Sequence, residues 1–268
     1  MKMIRRLTTL IAALAAVPAL ANPYDAHVSA RLLPGWQQAD GSHVAALEVT
    51  LSDGWKTYWR APGDAGVPPV FSWSGSRNVH SVQVIWPRPE VFYQNGMRSI
   101  GYSKRMVLPL RIEPRGNGAQ MQLDGDIQIG ICSDVCVPMT LSLDAVQLPD
   151  QGRRDPAIAA ALADRPYSGR EVGLRDVSCA VEPGPKKMRL RAEIDMPAIG
   201  GTEHVVFETS NPAIWVAEAK TRREGNRLIA ETELMQMNGQ PFALDRSGLR
   251  LTVLGADRAV DIQGCPAR

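Results

Sequence analysis

Apolar residues recur at every second position in several short stretches of this chain, a spacing that sends alternate side chains to opposite faces of a β-strand. Residues 44–51, 106–112, 188–194, 204–209, 227–234 and 249–254 carry it most clearly. Gly, Pro, Asn and Asp punctuate the intervals, as turns require. One segment breaks the alternation. Pro156-Ala157-Ile158-Ala159-Ala160-Ala161-Leu162-Ala163 predicts a short helix, with Asp155 as N-cap and Pro156 at the first helical position, closed before Pro166. The pattern predicts an all-β protein of two immunoglobulin-like β-sandwich domains, residues 22–150 and 167–268, joined by a linker with a short helix at 151–166. No internal repeat interrupts this plan.

The first 21 residues differ from the rest. Lys2, Arg5 and Arg6 precede an apolar run over residues 7–20 that closes on Ala19-Leu20-Ala21, the layout of a secretory signal peptide with a small-residue cleavage site. No later stretch approaches the roughly 18 apolar residues of a membrane span. The expectation is an exported, soluble, periplasmic chain of about 247 residues once the leader is removed. Its loss takes the formal charge from +2 to −1, which argues against nucleic acid or anionic lipid as a partner.

Export makes disulfides the default for the four cysteines, which allow three connectivities. Cys179 falls in the first predicted strand of the second domain and Cys265 just past its last. Joining them closes a loop of about 85 residues, worth about 4–5 kcal/mol of chain entropy, the profile of a structural bridge. That choice leaves Cys132 with Cys136, the connectivity that keeps both bonds within one domain. The two lie in Gly130-Ile131-Cys132-Ser133-Asp134-Val135-Cys136-Val137-Pro138, between alternating runs at 121–129 and 139–146. They can bridge only if the chain doubles back, and Ser133-Asp134 supplies the turn chemistry. A bridge so short and exposed is of the labile, redox-active kind. A small structural staple, or two unlinked thiols, fits the spacing too. No Lys, Arg or His lies within three residues of either cysteine, and Asp134 between them would raise their pKa values.

Aromatic residues gather in the first domain: Trp55, Tyr58, Trp59, Phe71, Trp73, Trp86, Phe92, Tyr93 and Tyr102 are nine of the chain's fifteen. Some must be core. The segment 86–96 carries Pro87, Pro89 and Asn95-Gly96 and reads as a loop, so Phe92 and Tyr93 are candidates for covering a site or meeting a partner.

These residues resemble a known family. Asp53-Gly54-Trp55-Lys56-Thr57-Tyr58-Trp59-Arg60-Ala61-Pro62-Gly63-Asp64-Ala65-Gly66 is similar to the opening signature of the N-terminal periplasmic domain of the DsbD/ScsB thiol:disulfide interchange proteins. Trp86-Pro87-Arg88-Pro89, Phe92, Gly101-Tyr102 and Val107-Leu108-Pro109-Leu110 continue it in order, and the Cys132–Cys136 spacing resembles the ScsB-like form. The resemblance implies an immunoglobulin-like domain that relays electrons through Cys132 and Cys136. It implies a membrane-embedded or thioredoxin-like donor, here a separate protein, and oxidised periplasmic proteins as acceptors. It implies that Cys136 forms the mixed disulfide and Cys132 resolves it. A cap loop at Phe92-Tyr93, with Glu90, shields the pair, and Tyr58 lies near it. No cofactor and no metal is needed for this chemistry.

Two rival readings belong to other classes. One is a copper chaperone using the same cysteines, with Met235, Met237 and the four histidines (His27, His43, His80, His204) as further ligands. The histidines are isolated in sequence and suit surface or hydrogen-bonded roles; Met235 and Met237 suit a sandwich face. The other is an adaptor whose cysteines only stabilise it.

Overall fold

The computed structural model describes residues 22–94, 96–116 and 120–267. The expected signal peptide, residues 1–21, lies outside them. Strand follows strand: β1 (Val28–Gln37), β2 (His43–Leu51), β3 (Lys56–Tyr58), β4 (Val70–Ser72) and β5 (Val79–Val84). Then come β6 (Glu90–Gln94), β7 (Met97–Ser103), β8 (Arg105–Pro114), β9 (Gln122–Cys132) and β10 (Cys136–Gln147). After the helix α1 (Pro156–Ala163) the chain continues with β11 (Tyr167–Ser168), β12 (Asp176–Pro183), β13 (Met188–Asp195), β14 (His204–Glu208) and β15 (Ile214–Val216). It ends with β16 (Lys220–Glu224), β17 (Arg227–Gln236), β18 (Arg250–Leu254) and β19 (Ala259–Gln263). The protein is all-β in class, and the six strands read most clearly from alternation are all present within two residues of their expected limits.

The first ten strands form two sheets, in the orders β1-β2-β8-β5 and β10-β9-β3-β7-β6, with β4 also on β9. Their facing sides bury Leu47, Leu108, Leu110 and Ile112 against Leu123, Ile127, Ile129 and Ile131. The later strands form two more sheets, β11-β19-β18-β14 and β12-β13-β17-β15, with β16 on β17. Between these lies a second core containing Leu190, Ile194, Phe207, Leu234, Leu251 and Val260. Cys179 on β12 and Cys265 just after β19 are bonded through that core, and both are buried.

The helix begins as its sequence dictates. The Asp155 carboxylate accepts from the amides of Ala157 and Ile158, and Pro156 occupies the first turn. Its Ile158 packs fully buried with Leu33, Val44 and Ala46 on the outer side of β1 and β2. That cover buries the outer row of β2 at Val44 and Ala46, and Arg31 and Arg105 close over Glu48 beyond it, leaving Thr50 exposed.

One expectation fails. Residues 86–96 are not all loop: Glu90–Gln94 pairs antiparallel with Met97–Ser103 as a hairpin. The prolines at 87 and 89 stop short of the strand, Gln94 pairs with Met97, and Gly96 just before Met97 has φ +79°, as a tight hairpin favours.

Candidate functional site

The hairpin β9–β10 presents the first cysteine pair. Cys132 ends β9, Cys136 starts β10, and the two are direct cross-strand partners joined by a disulfide, with Cα atoms 4.2 Å apart. Ser133, Asp134 and Val135 make the turn, where the Ser133 amide donates to the Val135 carbonyl at 3.0 Å. The pair is exposed at one end only. Cys136 faces solvent, whereas Cys132 is 2% exposed, contrary to the expectation of a bridge open throughout.

Register explains the burial of Cys132. β3 pairs with the other edge of β9, setting Lys56 opposite Cys132 and Thr57 opposite Ile131. The Thr57 hydroxyl fixes this pairing by donating to the Gly130 carbonyl at 2.9 Å. Alternation along β3 puts Lys56 and Tyr58 on the face that carries Cys132. There the Tyr58 hydroxyl sits 2.7 Å from the Cys132 Sγ and 3.4 Å from that of Cys136. Disulfide sulfurs carry no hydrogen, so the phenol donates. Burial pushes its pKa above the ordinary value of 10.0, which keeps it a donor at neutral pH.

Two glycines make room for the ring. A Cβ on Gly130 would stand 3.0 Å from Tyr58, and one on Gly66 would stand 2.7 Å from it. The tyrosine is therefore clasped between β9 and the loop after β3. Tyr58→Phe should keep that fit and remove only the hydroxyl. Hydrogen bonds to charged groups contribute about 1.5–3 kcal/mol. The reduced Cys132 thiol of the variant is accordingly expected to titrate at least about one unit higher. The pH dependence of iodoacetamide alkylation, with Cys136 replaced by serine, measures this; an unchanged profile would disconnect the hydroxyl from the sulfur.

The remaining candidates are dispersed around the sheet. Phe92 offers its ring to the Lys56 ammonium, 4.6 Å from the ring centroid. Tyr93, one residue on, is 63% exposed and turns to His204, ring centroids 6.2 Å apart. Glu90 accepts from the Ser103 hydroxyl at 2.9 Å. Sequence reasoning missed Lys56, because it weighed cations only by nearness along the chain. It also placed Met237 on a sandwich face, but this residue follows the end of β17 and is 75% exposed. The histidines are scattered: His27 stacks on Trp55, His43 lies buried against the Pro34 carbonyl, His80 is exposed on β5, and His204 contacts Arg98. Among the described residues no group of three or more His, Cys, Asp or Glu is placed to hold a metal, and no helix is long and apolar enough to cross a membrane.

Comparison with known proteins bears on this geometry. The family model "Thiol:disulfide interchange protein DsbD, N-terminal" matches residues 29–148, the span of the first two sheets. No curated protein matches the chain. The crystal structure of the N-terminal periplasmic domain of ScsB from Proteus mirabilis is similar at 22% identity and TM-score 0.69, over 93% of this chain and 97% of that one, and it supports the fold. A protein of unknown function from Porphyromonas gingivalis W83 aligns over 88% of this chain and 99% of its own at 13% identity, but its TM-score of 0.20 carries no argument. Residues 29–148, which hold the bonded cysteines at the tip of β9–β10, thus match the family described by the DsbD N-terminal domain of thiol:disulfide interchange proteins.

Proposed function

We propose that this chain is a periplasmic electron carrier, two immunoglobulin-like domains joined by a linker helix, which relays reducing equivalents through Cys132 and Cys136. The observation that carries the reading is the asymmetry of the bond: an exposed residue, Cys136, joined to a buried one, Cys132, whose sulfur is held against a phenol. A donor thiolate, from a thioredoxin-like or membrane-linked protein, attacks the accessible sulfur of Cys136. The sulfur–sulfur bond breaks and Cys132 leaves as a thiolate beside the Tyr58 hydroxyl, whose hydrogen bond favours the anion. The donor's second thiol then attacks its own sulfur in the mixed disulfide. That step frees the Cys136 thiolate, so two electrons have entered and the donor departs as a disulfide.

Delivery runs in reverse order. The Cys136 thiolate opens a disulfide of an oxidised periplasmic protein, and Cys132 resolves the adduct by attacking Cys136. Phe92 and Glu90 form the cap and partner-binding side of the pair, and Tyr93, on the other face of the hairpin, does not share it. The Cys179–Cys265 bond takes no part and serves as a structural clamp.

Equilibration against a glutathione series tests the reading. The Cys132–Cys136 bond is expected to open between about −180 and −270 mV, the range of working oxidoreductases. The Cys179–Cys265 bond should persist throughout. Two bonds that both resist below about −300 mV would make the protein a disulfide-braced adaptor instead.

A further inference from the structure

The hairpin β6–β7 has two faces, and the redox pair concerns only one of them. Alternation sends Phe92 towards Lys56, the cross-strand partner of Cys132, and sends the next residue, Tyr93, the other way. Tyr93 is the direct cross-strand partner of Arg98, so both side chains lie on the far face. There they meet His204 at the start of β14, a residue from the later sheets. Arg98 Nη1 lies 3.1 Å from His204 Nδ1, and the Tyr93 hydroxyl lies 3.5 Å from His204 Nε2.

We propose that His204 is a positioning residue for the carrier reaction: in its neutral form it pins the β6–β7 hairpin, and with it the Phe92–Lys56 contact on the Cys132 side of the pair, and protonation releases the hairpin and widens the approach to the bond beyond the side that Cys136 already leaves open. The inference rests on the reading of that pair as the redox centre and of Phe92 as part of its cap.

The chemistry of the contact fixes the proton. A guanidinium can only donate, so His204 Nδ1 must offer its lone pair and Nε2 must carry the hydrogen. Protonating Nδ1 removes the acceptor and sets a second cation against Arg98. Arg98 is 4% exposed and cannot retreat into water; its other charged partner is Glu218, 3.3 Å from Nε. The same recess is lined by Glu203 and Lys220. Glu203 is already engaged by Arg223 on β16, and Lys220 adds like charge. Burial first, then Arg98, lowers the imidazole pKa below 6.5, and Glu218 opposes this in part. A lowered pKa means that released His204 binds the proton more readily. The clamp is therefore whole above about pH 6.5 and weakens as pH falls below it.

The test is the rate at which tris(2-carboxyethyl)phosphine opens the Cys132–Cys136 bond at pH 7.5 and pH 5.5, read by alkylation and mass spectrometry of the cysteine peptides. In this reaction phosphorus is oxidised to the phosphine oxide with oxygen from water, and the disulfide takes up two electrons and two protons. Three full-length proteins are compared, because the phosphine's own pH dependence cancels in their ratio. His204→Gln keeps an acceptor for Arg98 without titrating. The wild-type rate relative to this variant should rise on acidification, by up to roughly tenfold, the limit set by ending one unit below the free imidazole value of 6.5. His204→Ala should be faster than wild type at pH 7.5. A ratio of wild type to His204→Gln that stays flat with pH, or an alanine variant no faster than wild type, would overturn the clamp while leaving the redox centre standing. A bond that the phosphine opens in none of the three would overturn the redox reading itself, and the clamp with it.

Discussion

Replacing Cys132 by alanine should leave Cys136 joined to its partner as a mixed disulfide that survives non-reducing electrophoresis, whereas Cys136→Ala should capture almost nothing. The difference comes from access. Cys136 opens β10 on the solvent side of the turn, and Cys132 is sealed by the Tyr58 ring and β3. Exchange needs an approach to the attacked sulfur, so the thiol left in Cys136→Ala should react with a bulky disulfide about a hundredfold more slowly than the one left in Cys132→Ala. Periplasmic extract, or a model thioredoxin-like protein carrying one thiol, provides the partner, and the linked peptide identifies the cysteine. Adducts that form equally well through Cys132 would reverse the assigned roles.

The second large effect concerns stability, and it falls on the other bond. Cys179→Ala together with Cys265→Ala should cost about 4–5 kcal/mol in the chain-entropy model, because the closed loop spans 86 residues. For a module of about a hundred residues this lowers the melting temperature by on the order of 15–25 °C. Both sulfurs are buried in the core between the later sheets, so the two alanines also leave voids there. Scanning calorimetry should find the lower transition displaced, while the Cys132–Cys136 pair keeps its reduction potential. A displacement of only a few degrees would mean that the reduced chain is already constrained without the bond.

What could be read from the sequence, and what could not, divides along physical lines. Strands such as Met188–Asp195 and the Asp155-capped helix are dictated by neighbours within a few residues, and local pattern located them. The two cysteine pairings followed from where each residue stood relative to strand ends. The β6 strand was hidden by Pro87 and Pro89, which mask the hairpin that β6 forms with β7. The environment of Cys132 lay further out of reach. Tyr58 is 74 residues away along the chain, and Lys56 arrives with it only because β3 lies against β9 in one particular register. The contact between Arg98 and His204 joins residues 106 apart, and no local signal announces it.

The seat of α1 bears on where this protein could be divided. Ile158 fills a notch floored by Leu33, Val44 and Ala46, and the Arg88 amide donates to the Asp164 carbonyl at the helix's end. A recombinant fragment cut just after the last strand of the β9–β10 hairpin would strip that lid and wet an apolar patch on β1 and β2. The segment that the sequence marks as a spacer thus belongs, by its packing, with the half that precedes it.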